Sequence, residues 1–466
     1  MVTDFASVSL SPKLLSVVKE LGYEKLTPIQ EQSIPLLLEG RDLIGQSQTG
    51  SGKTAAFSLP ILEKIQKEPR ALQAIVLCPT RELCAQVVRE MRKLGRKHAG
   101  LQVLSVAGGE SFYPQAKALQ KGVYIVVGTP GRVLDHLGRG TMDLSNVATV
   151  VLDEADRMLD MGFQAEMENI LGQLAPEHQT ILFSATFPQS IEALSRRYQR
   201  DAVRVTIEEE HADAPSIRQM AIGAEPEQKL QTLCWLLGQY EHESAIVFCN
   251  FKRSVAELER SLSQAGASVD CLHGDLEQFD RDRVMARFRN QSARILIATD
   301  VAARGIDVAD LDLVVNYELP NGPDTYVHRI GRTGRAGKLG LALSLVSGRE
   351  KSKIAQIEDT TGVEIERLNR TSSCDETIAH LSQNFVRPAK MHTILISGGR
   401  KDKVRPGDIL GALTGEAGGL NSSDIGKIEI HDRLAYVAVT REKSESAAQS
   451  LNDGRIKGRK FRATLV

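Results

Sequence analysis

The stretch SQTGSGKT, Ser47 to Thr54, decides how this chain is read. It lies between a short apolar run, RDLIG (41–45), and an amphipathic one, TAAFSLPILEKIQ (54–66). A strand, a glycine-rich turn and a helix in that order make a phosphate cradle, because the turn's N–H groups and the helix N-terminus point at phosphate oxygens. Gly50 and Gly52 let the backbone come close, Lys53 reaches toward β- and γ-phosphates, and Thr54 offers a hydroxyl to Mg2+. Ser47, Gln48, Thr49 and Ser51 complete the cradle. The full pattern, G-x-x-x-x-G-K-[ST], starts with Gly where this chain has Ser47, another small residue. A chance Gly-Lys-Thr turn is the alternative, and the flanking strand and helix weigh against it.

Such a loop needs a carboxylate for its metal. VVLDEAD (150–156) is an apolar strand that ends in Asp153 and Glu154. Asp153 is placed to hold Mg2+, directly or through water, and Glu154 to orient or deprotonate an attacking water.

Around this pair the chain repeats one rhythm. AIVLCPT, VYIVVGTP and TILFSAT in the first half, then SAIVFCN, ARILIATD and LDLVVNY, are short apolar runs, each followed by a longer amphipathic segment. That is the βαβ pattern of a mostly parallel sheet covered on both faces. An acidic segment with little periodicity, 206–226, interrupts it, and RLNRTSSCDET with VRPAK marks a second break. The expected organisation is a first lobe over 1–208, a linker over 209–226, a second lobe over 227–370, a linker over 371–390 and a small domain over 391–466. In that last domain ILIS, KIEI, YVAV and FRATLV read as strands, and RPGDILGALTGEAG and EKSESAAQSLNDG as helices. The order β-α-β-β-α-β is ferredoxin-like, an α+β pattern shared by RNA-recognition domains and by many unrelated ones.

Charge adds direction. The 466 residues carry a net charge of −1, but residues 391–466 hold 13 Lys+Arg against 9 Asp+Glu, which makes the tail basic and the remainder acidic. A basic tail points to a polyanion. No apolar run is long enough to span a bilayer and the N-terminus does not read as a secretory signal. The six cysteines form no C-x-x-C pair, so a disulfide frame or zinc site is not expected, and a cytoplasmic setting is.

Taken together, the ordered motifs resemble those of the DEAD-box RNA helicases, a family named for the four residues at 153–156. The resemblance covers nearly all of 1–370 and implies two RecA-like lobes, ATP with Mg2+ as cofactors, and RNA-dependent ATP hydrolysis coupled to strand separation. GYEKLTPIQ (22–30) resembles the adenine-reading segment, which assigns Tyr23, Thr27 and Gln30 to the nucleotide, with Phe5 as a ring for the base. PTREL (79–83), Gly108–Gly109 and TPGR (129–132) resemble first-lobe RNA contacts, implying Thr80, Arg81, Gly109, Thr129 and Arg132. SAT (184–186) resembles the segment that couples hydrolysis to unwinding, through Ser184 and Thr186. In the second lobe VFCN (247–250), ATDVAARGID (298–307) and HRIGRTGR (328–335) follow in family order. They imply RNA contacts from Thr299 and Arg304, a nucleotide contact from Asp307, water placement by His328, and arginine fingers from Arg332 and Arg335. Ser47 stands where the family usually has Ala, and Leu26 where Pro is common.

The tail is similar to the C-terminal domain of the bacterial DbpA subfamily in RKDKVRPGDILGALTG (400–415), DIGKI (424–428) and GRIKGRKFR (454–462). That similarity implies recognition of a hairpin in 23S rRNA and action on 50S precursor particles. Arg400, Lys401, Lys403 and Arg405 form one basic patch, and Arg455, Lys457, Arg459 and Lys460 another. The strand RLAYVAVT has Tyr436 but lacks the aromatic set that stacks bases, so loops and basic edges, not the sheet face, are the expected RNA surface. An ATP-gated RNA clamp, or a general remodeller without rRNA preference, shares the same motifs and stays open.

Overall fold

The computed structural model describes residues 4–47, 51–68, 70–187, 189–207, 217–303, 311–334, 339–415 and 419–466. The first lobe holds β1 (Leu43–Gln46), β2 (Ala74–Leu77), β3 (Val103–Val106), β4 (Ile125–Gly128), β5 (Thr149–Asp153), β6 (Gln179–Ser184) and β7 (Val203–Thr206). They form one parallel sheet in the order β3-β4-β2-β5-β6-β1-β7. The central strands read as unbroken apolar runs because both faces are covered: Ala74, Val76 and Val151 go to one core, and Ile75, Leu77, Val150 and Leu152 to the other. Helices Pro12–Glu20 and Pro28–Leu38 precede β1, and Ile29, Ile34 and Leu37 of the latter join the first core.

The second lobe holds β8 (Ile217–Gly223), β9 (Ala245–Cys249), β10 (Val269–Leu272), β11 (Ile295–Thr299), β12 (Leu313–Asn316), β13 (Gly340–Val346) and β14 (Glu366–Leu368). Their order, β10-β11-β9-β12-β13-β8-β14, repeats that of the first sheet position by position, and all pairs are again parallel.

Both expected linkers need correction. Residues 217–223 of the first are strand β8, paired with β13 and β14, with Met220 and Ile222 in the lobe's core. The second contains a helix, Ile378–Phe385, whose Leu381 and Phe385 are buried with the helix Lys229–Gln239. Its apolar residues Ile378, Leu381 and Phe385 follow helical spacing, and a side chain at Gly238 would press on Asn384, so the two helices meet closely.

The tail has β15 (Met391–Ile396), β16 (Ile425–Ile430), β17 (Ala435–Thr440) and β18 (Ala463–Leu465), with helices Pro406–Thr414 and Ser444–Asp453. The sheet is antiparallel, in the order β16-β17-β15-β18, which is the expected ferredoxin-like arrangement. Alternation divides its faces. Ile394, Ile396, Val437 and Val439 pack on the tail's own helices through Ile409, Leu413 and Leu451. Thr393 and Tyr436 point the other way and are still fully buried, because that face meets the second lobe's helix Gln278–Arg289 and the turn after it. Among the described residues, no helix is long and apolar enough to cross a membrane. All six cysteines are free thiols.

Candidate active site

In an open parallel sheet, ligands gather beyond the C-terminal ends of the strands. The first-lobe candidates fall there: the phosphate loop after β1, Thr80 after β2, Gly109 after β3, Thr129 after β4, Asp153 and Glu154 at the end of β5, and Ser184 and Thr186 at the end of β6. Gln48, Thr49 and Gly50 lie outside the described residues.

Lys53 opens the helix Lys53–Lys64, and its buried Nζ donates to Ser47 O at 2.7 Å. Ser47 Oγ and Ser51 Oγ are 3.0 Å apart, and Thr54 is half-buried in the helix's first turn. Gly52 caps this helix at φ 94, and a Cβ there would stand 2.4 Å from Gln30 Nε2. Only glycine combines that conformation with that approach. The Gln30 amide accepts from Thr27 N–H at 3.0 Å and donates to Gly52 O at 3.1 Å, which ties the expected base-reading segment to the phosphate loop. Thr27 Oγ1 is buried there without a hydrogen bond among the described residues. Tyr23 donates to Glu90 at 2.5 Å, and burial pushes its phenol well above the usual range. Phe5 does not present an open ring: it is 3% exposed, packed in the lobe's core with Tyr23 at a ring separation of 6.2 Å.

Asp153 is 3% exposed, and burial raises its pKa to about 7, against the pull of Lys53 and with repulsion from Glu154. Glu154 takes a left-handed conformation, φ 55, at the start of the helix Ala155–Asp160. Its Oε2 lies 3.5 Å from Arg157 Nε in a buried ion pair, but has no hydrogen bond among the described residues. A desolvated carboxyl beside a second one with an unfilled oxygen suits a divalent cation and a water. No cluster of three His, Cys, Asp or Glu could hold a metal alone among the described residues, so such a cation would draw ligands from a nucleotide as well.

Asp156, to which the sequence assigned no role, is tied directly to SAT. Its Oδ2 accepts from Ala185 N, Thr186 N and Thr186 Oγ1 at 3.2, 2.9 and 3.0 Å, and Ser184 Oγ donates to Thr186 O at 2.6 Å. The carboxylate therefore fastens SAT to the helix Ala155–Asp160 that follows Glu154. Its place in the first turn of the helix Ala155–Asp160, directly after the strand-end pair Asp153 and Glu154, was the signal.

The first lobe's expected RNA residues cluster. Gly109, φ 78, lies so close to the Arg81 guanidinium that a Cβ would overlap it. Arg132 donates to Glu110 O at 3.1 Å and to Gln115 Oε1 at 2.8 Å. Thr80 caps the helix Arg81–Leu94 by accepting from Leu83 N at 3.3 Å, and Thr129 stands before the helix Pro130–Gly138.

The second lobe places Thr299 at the end of β11 and His328 on the helix Pro323–Ile330, with Arg332 buried just beyond it. Arg304, Asp307 and Arg335 lie outside the described residues. HRIGRTGR has three arginines, and Arg329, the one given no role, is an internal clamp. It is 1% exposed, grips Asp300 with Nε and Nη2 at 2.6 and 2.7 Å, and donates to Asn250, Asn316 and Glu318 O. It thus joins VFCN, ATD and HRIGRTGR into one network.

Comparison with known proteins decides the family. The DEAD/DEAH box helicase family matches residues 27–194, the helicase conserved C-terminal domain 228–337, and the DbpA RNA binding domain 393–465. The ATP-dependent RNA helicase DbpA of Escherichia coli is 44% identical over the whole of both chains. The chain belongs to the DEAD-box ATP-dependent RNA helicases. The DEAD-box helicase CshA of Bacillus subtilis is also 44% identical, across 81% of this helicase and 76% of CshA. Among solved structures, Saccharomyces cerevisiae Dbp5 bound to RNA and ADP BeF3 is 34% identical, with a TM-score of 0.72, covering 82% of this helicase and 99% of that chain.

In the helicase's tail the two basic stretches become one surface. Lys457 Nζ donates to Lys403 O at 3.1 Å and lies 3.8 Å from Asp408; Arg459 lies 3.7 Å from Asp402. Arg400 and Lys401 share Asp432 at 3.4 and 3.7 Å, Arg405 precedes the helix Pro406–Thr414, and Arg455 and Lys460 are exposed in the same stretch of chain as Lys457 and Arg459. The sheet face is closed instead. Arg289 donates to both Glu429 oxygens at 2.8 and 2.6 Å, and Asn290 and Ser292 meet Thr393 Oγ1 at 3.1 and 2.7 Å. Burial opposes the Glu429 charge, but His431 at 3.9 Å and, with better geometry, Arg289 outweigh it and hold the carboxyl well below its usual range.

Proposed function

We propose that this RNA helicase is directed by its tail to a hairpin of 23S rRNA and remodels short duplexes in 50S precursor particles. The observation that carries this reading is the tail's division of labour: its sheet face is buried on the second lobe, while both basic stretches meet on one open surface. A surface of flexible cations around loops suits the phosphates and splayed bases of a hairpin. The whole-length likeness to the ATP-dependent RNA helicase DbpA, with the match of the tail to the DbpA RNA binding domain, supports RNA as the tail's ligand.

In this reading Thr54 and Asp153 hold Mg2+, which when bound neutralises charge on the β- and γ-phosphates. Lys53 leaves Ser47 O for the phosphates, Glu154 orients the attacking water, and Asp156 passes the change at the strand end to Ser184 and Thr186. The aromatic and amide groups of Tyr23 and Gln30, with Thr27, select the base. His328, Arg332, Arg335 and Asp307 complete the reaction from the second lobe, so hydrolysis depends on the lobes meeting. Thr80, Arg81, Gly109, Thr129, Arg132, Thr299 and Arg304 hold RNA mainly by its backbone, which carries little sequence information. Targeting therefore falls to the tail.

The test is RNA-stimulated ATP hydrolysis with an rRNA fragment that bears the hairpin, against an unrelated structured RNA. The full chain with Lys403→Glu and Arg405→Glu is a cleaner comparison than a truncation, because removing the tail would uncover Arg289, Asn290 and Ser292. Strong stimulation by the rRNA fragment alone, lost in the double variant, supports the reading. Equal stimulation by both RNAs sinks it and favours a general remodeller.

A further inference from the structure

We propose that the cavity where the second lobe meets the tail is an anion site that takes a backbone phosphate of bound RNA. The cavity has a volume of about 410 Å3 and is lined by Arg287, Arg387, Arg441, His392, Ser268 and Ser292 among others. That is room for a phosphate group with several waters, at about 30 Å3 for each water.

Its cations come from three separate places in the chain. Arg287 projects from the helix Gln278–Arg289, Arg387 follows the helix Ile378–Phe385, and Arg441 and His392 belong to the tail sheet and its edge. Bringing like charges together costs free energy unless something anionic offsets it. The protein offsets part of it. Arg287 pairs with Asp270 at 3.1 Å and Arg387 with Glu241 at 2.9 Å. The Arg287 Nε is nevertheless buried without a hydrogen bond, and the exposed Arg441 guanidinium has no ion pair among the described residues. Burial first, then the charges of Arg441 and Arg287, lower the His392 pKa despite nearby Glu445.

The site exists only while the tail is docked, because Arg441 and His392 reach it from the tail and Arg287 from the lobe. A phosphate held there favours the docked arrangement, and by linkage docking favours RNA. The inference rests on RNA binding by the tail and second lobe but does not require rRNA preference.

The experiment measures RNA affinity of the full chain against salt, with the rRNA fragment and with an unrelated structured RNA. Losing one phosphate contact should reduce the log–log salt slope by about 0.7–0.9. Arg441→Ala is expected to show that decrease, with affinity about 3–10-fold weaker near 100 mM salt. Arg441→Lys should retain most of the slope, and Arg196→Ala, on an exposed first-lobe helix, should change nothing. Inorganic phosphate should raise the His392 titration midpoint in the parent chain and not in Arg441→Ala. An unchanged slope in Arg441→Ala overturns the proposal, also if phosphate still moves His392, since the cavity then takes only the free ion. Equal binding of both RNAs by the parent chain would sink the rRNA reading alone and leave the slope test standing.

Discussion

In the first lobe the sixth strand across the sheet, β1, runs into SQTGSGKT; in the second lobe the sixth strand, β8, runs into AEPEQK. Each is followed by a helix whose first residue is a buried lysine, Lys53 in one and Lys229 in the other. Among the described residues, Lys53 Nζ donates to a backbone oxygen, Ser47 O, beside a glycine-rich sequence. Lys229 is spoken for, bonded to Tyr317 O at 3.0 Å and to Glu350 at 3.1 Å. One topology thus carries the proposed phosphate cradle in the first copy and a closed ion pair in the second. The fold sets where a loop will stand, and the loop's own residues decide whether chemistry happens there.

Exchanging the two lysines for alanine tests this most severely. Lys53→Ala should lower RNA-stimulated ATP hydrolysis by about 10²–10³-fold, the usual cost of one preorganised charge donor, with the fold intact by circular dichroism. Lys229→Ala should leave turnover nearly unchanged below its melting point but cost about 3 kcal/mol of stability, because Glu350 loses its buried partner. If Lys229→Ala abolished turnover without loss of stability, the contrast between the lobes would be broken.

The strand-end networks give a sharper version. Asp156 in the first lobe binds a segment expected to move, and Arg329 in the second clamps strands expected to stay. Asp156→Asn puts an amide donor where the carboxylate accepts from four donors, Arg157 N included. Strand displacement should fall by about 10²-fold, equivalent to about 3 kcal/mol, while nucleotide affinity stays within a few-fold. Arg329→Lys should instead unfold the second lobe at lower denaturant, since an ammonium lacks the fork that fits Asp300. Equal effects of the two changes on stability would remove the distinction.

How the residues were legible follows the same contrast. The strands of both lobes that carry motifs stood out, since each apolar run ended in a marked turn. β8 did not, although it is the counterpart of β1. It has no glycine-rich loop after it, an acidic tract before it, and an apolar pattern that does not alternate, with Met220, Ala221 and Ile222 all buried in sequence. Its identity is set by pairing with β13, a contact between residues more than a hundred positions apart that no local pattern encodes. Ile378–Phe385 was missed for a related reason: eight residues are few for a periodic signal, and its helicity depends on packing against Lys229–Gln239. Asp156 and Arg329 sit inside motifs that were read, but their roles lie in which strand ends meet. Phe5 was placed by resemblance, and the packing that buries it against Tyr23 is tertiary.

The second lobe also differs in carrying the tail, and acid should weaken that attachment. Glu429 has its pKa depressed in the folded chain, so the stabilisation it brings is complete above the ordinary glutamate value, 4.5, and is lost as pH falls below it. Glu429→Gln should cost about 2 kcal/mol at neutral pH, as expected for a charge-assisted hydrogen-bonded pair. It should also flatten the loss of melting temperature between neutral pH and acid. A variant that melts like its parent at every pH would show that Arg289 and Glu429 do not hold the tail.

The smallest effect separates the two faces of the tail. Tyr436 is fully buried on the lobe side, with its hydroxyl unbonded among the described residues and its ring edge-on to His431 at 5.4 Å, so it has no face free for a base. Tyr436→Ala should lower stability by cavity formation yet leave hairpin affinity within about threefold at temperatures where the chain is folded. Lys403→Glu with Arg405→Glu reverses two charges on the open surface and should weaken hairpin binding by about tenfold, with a shallower salt slope. A tenfold loss from the tyrosine change alone would mean that the tail undocks to offer its sheet to RNA. The second lobe would then be a resting place for the tail rather than its support.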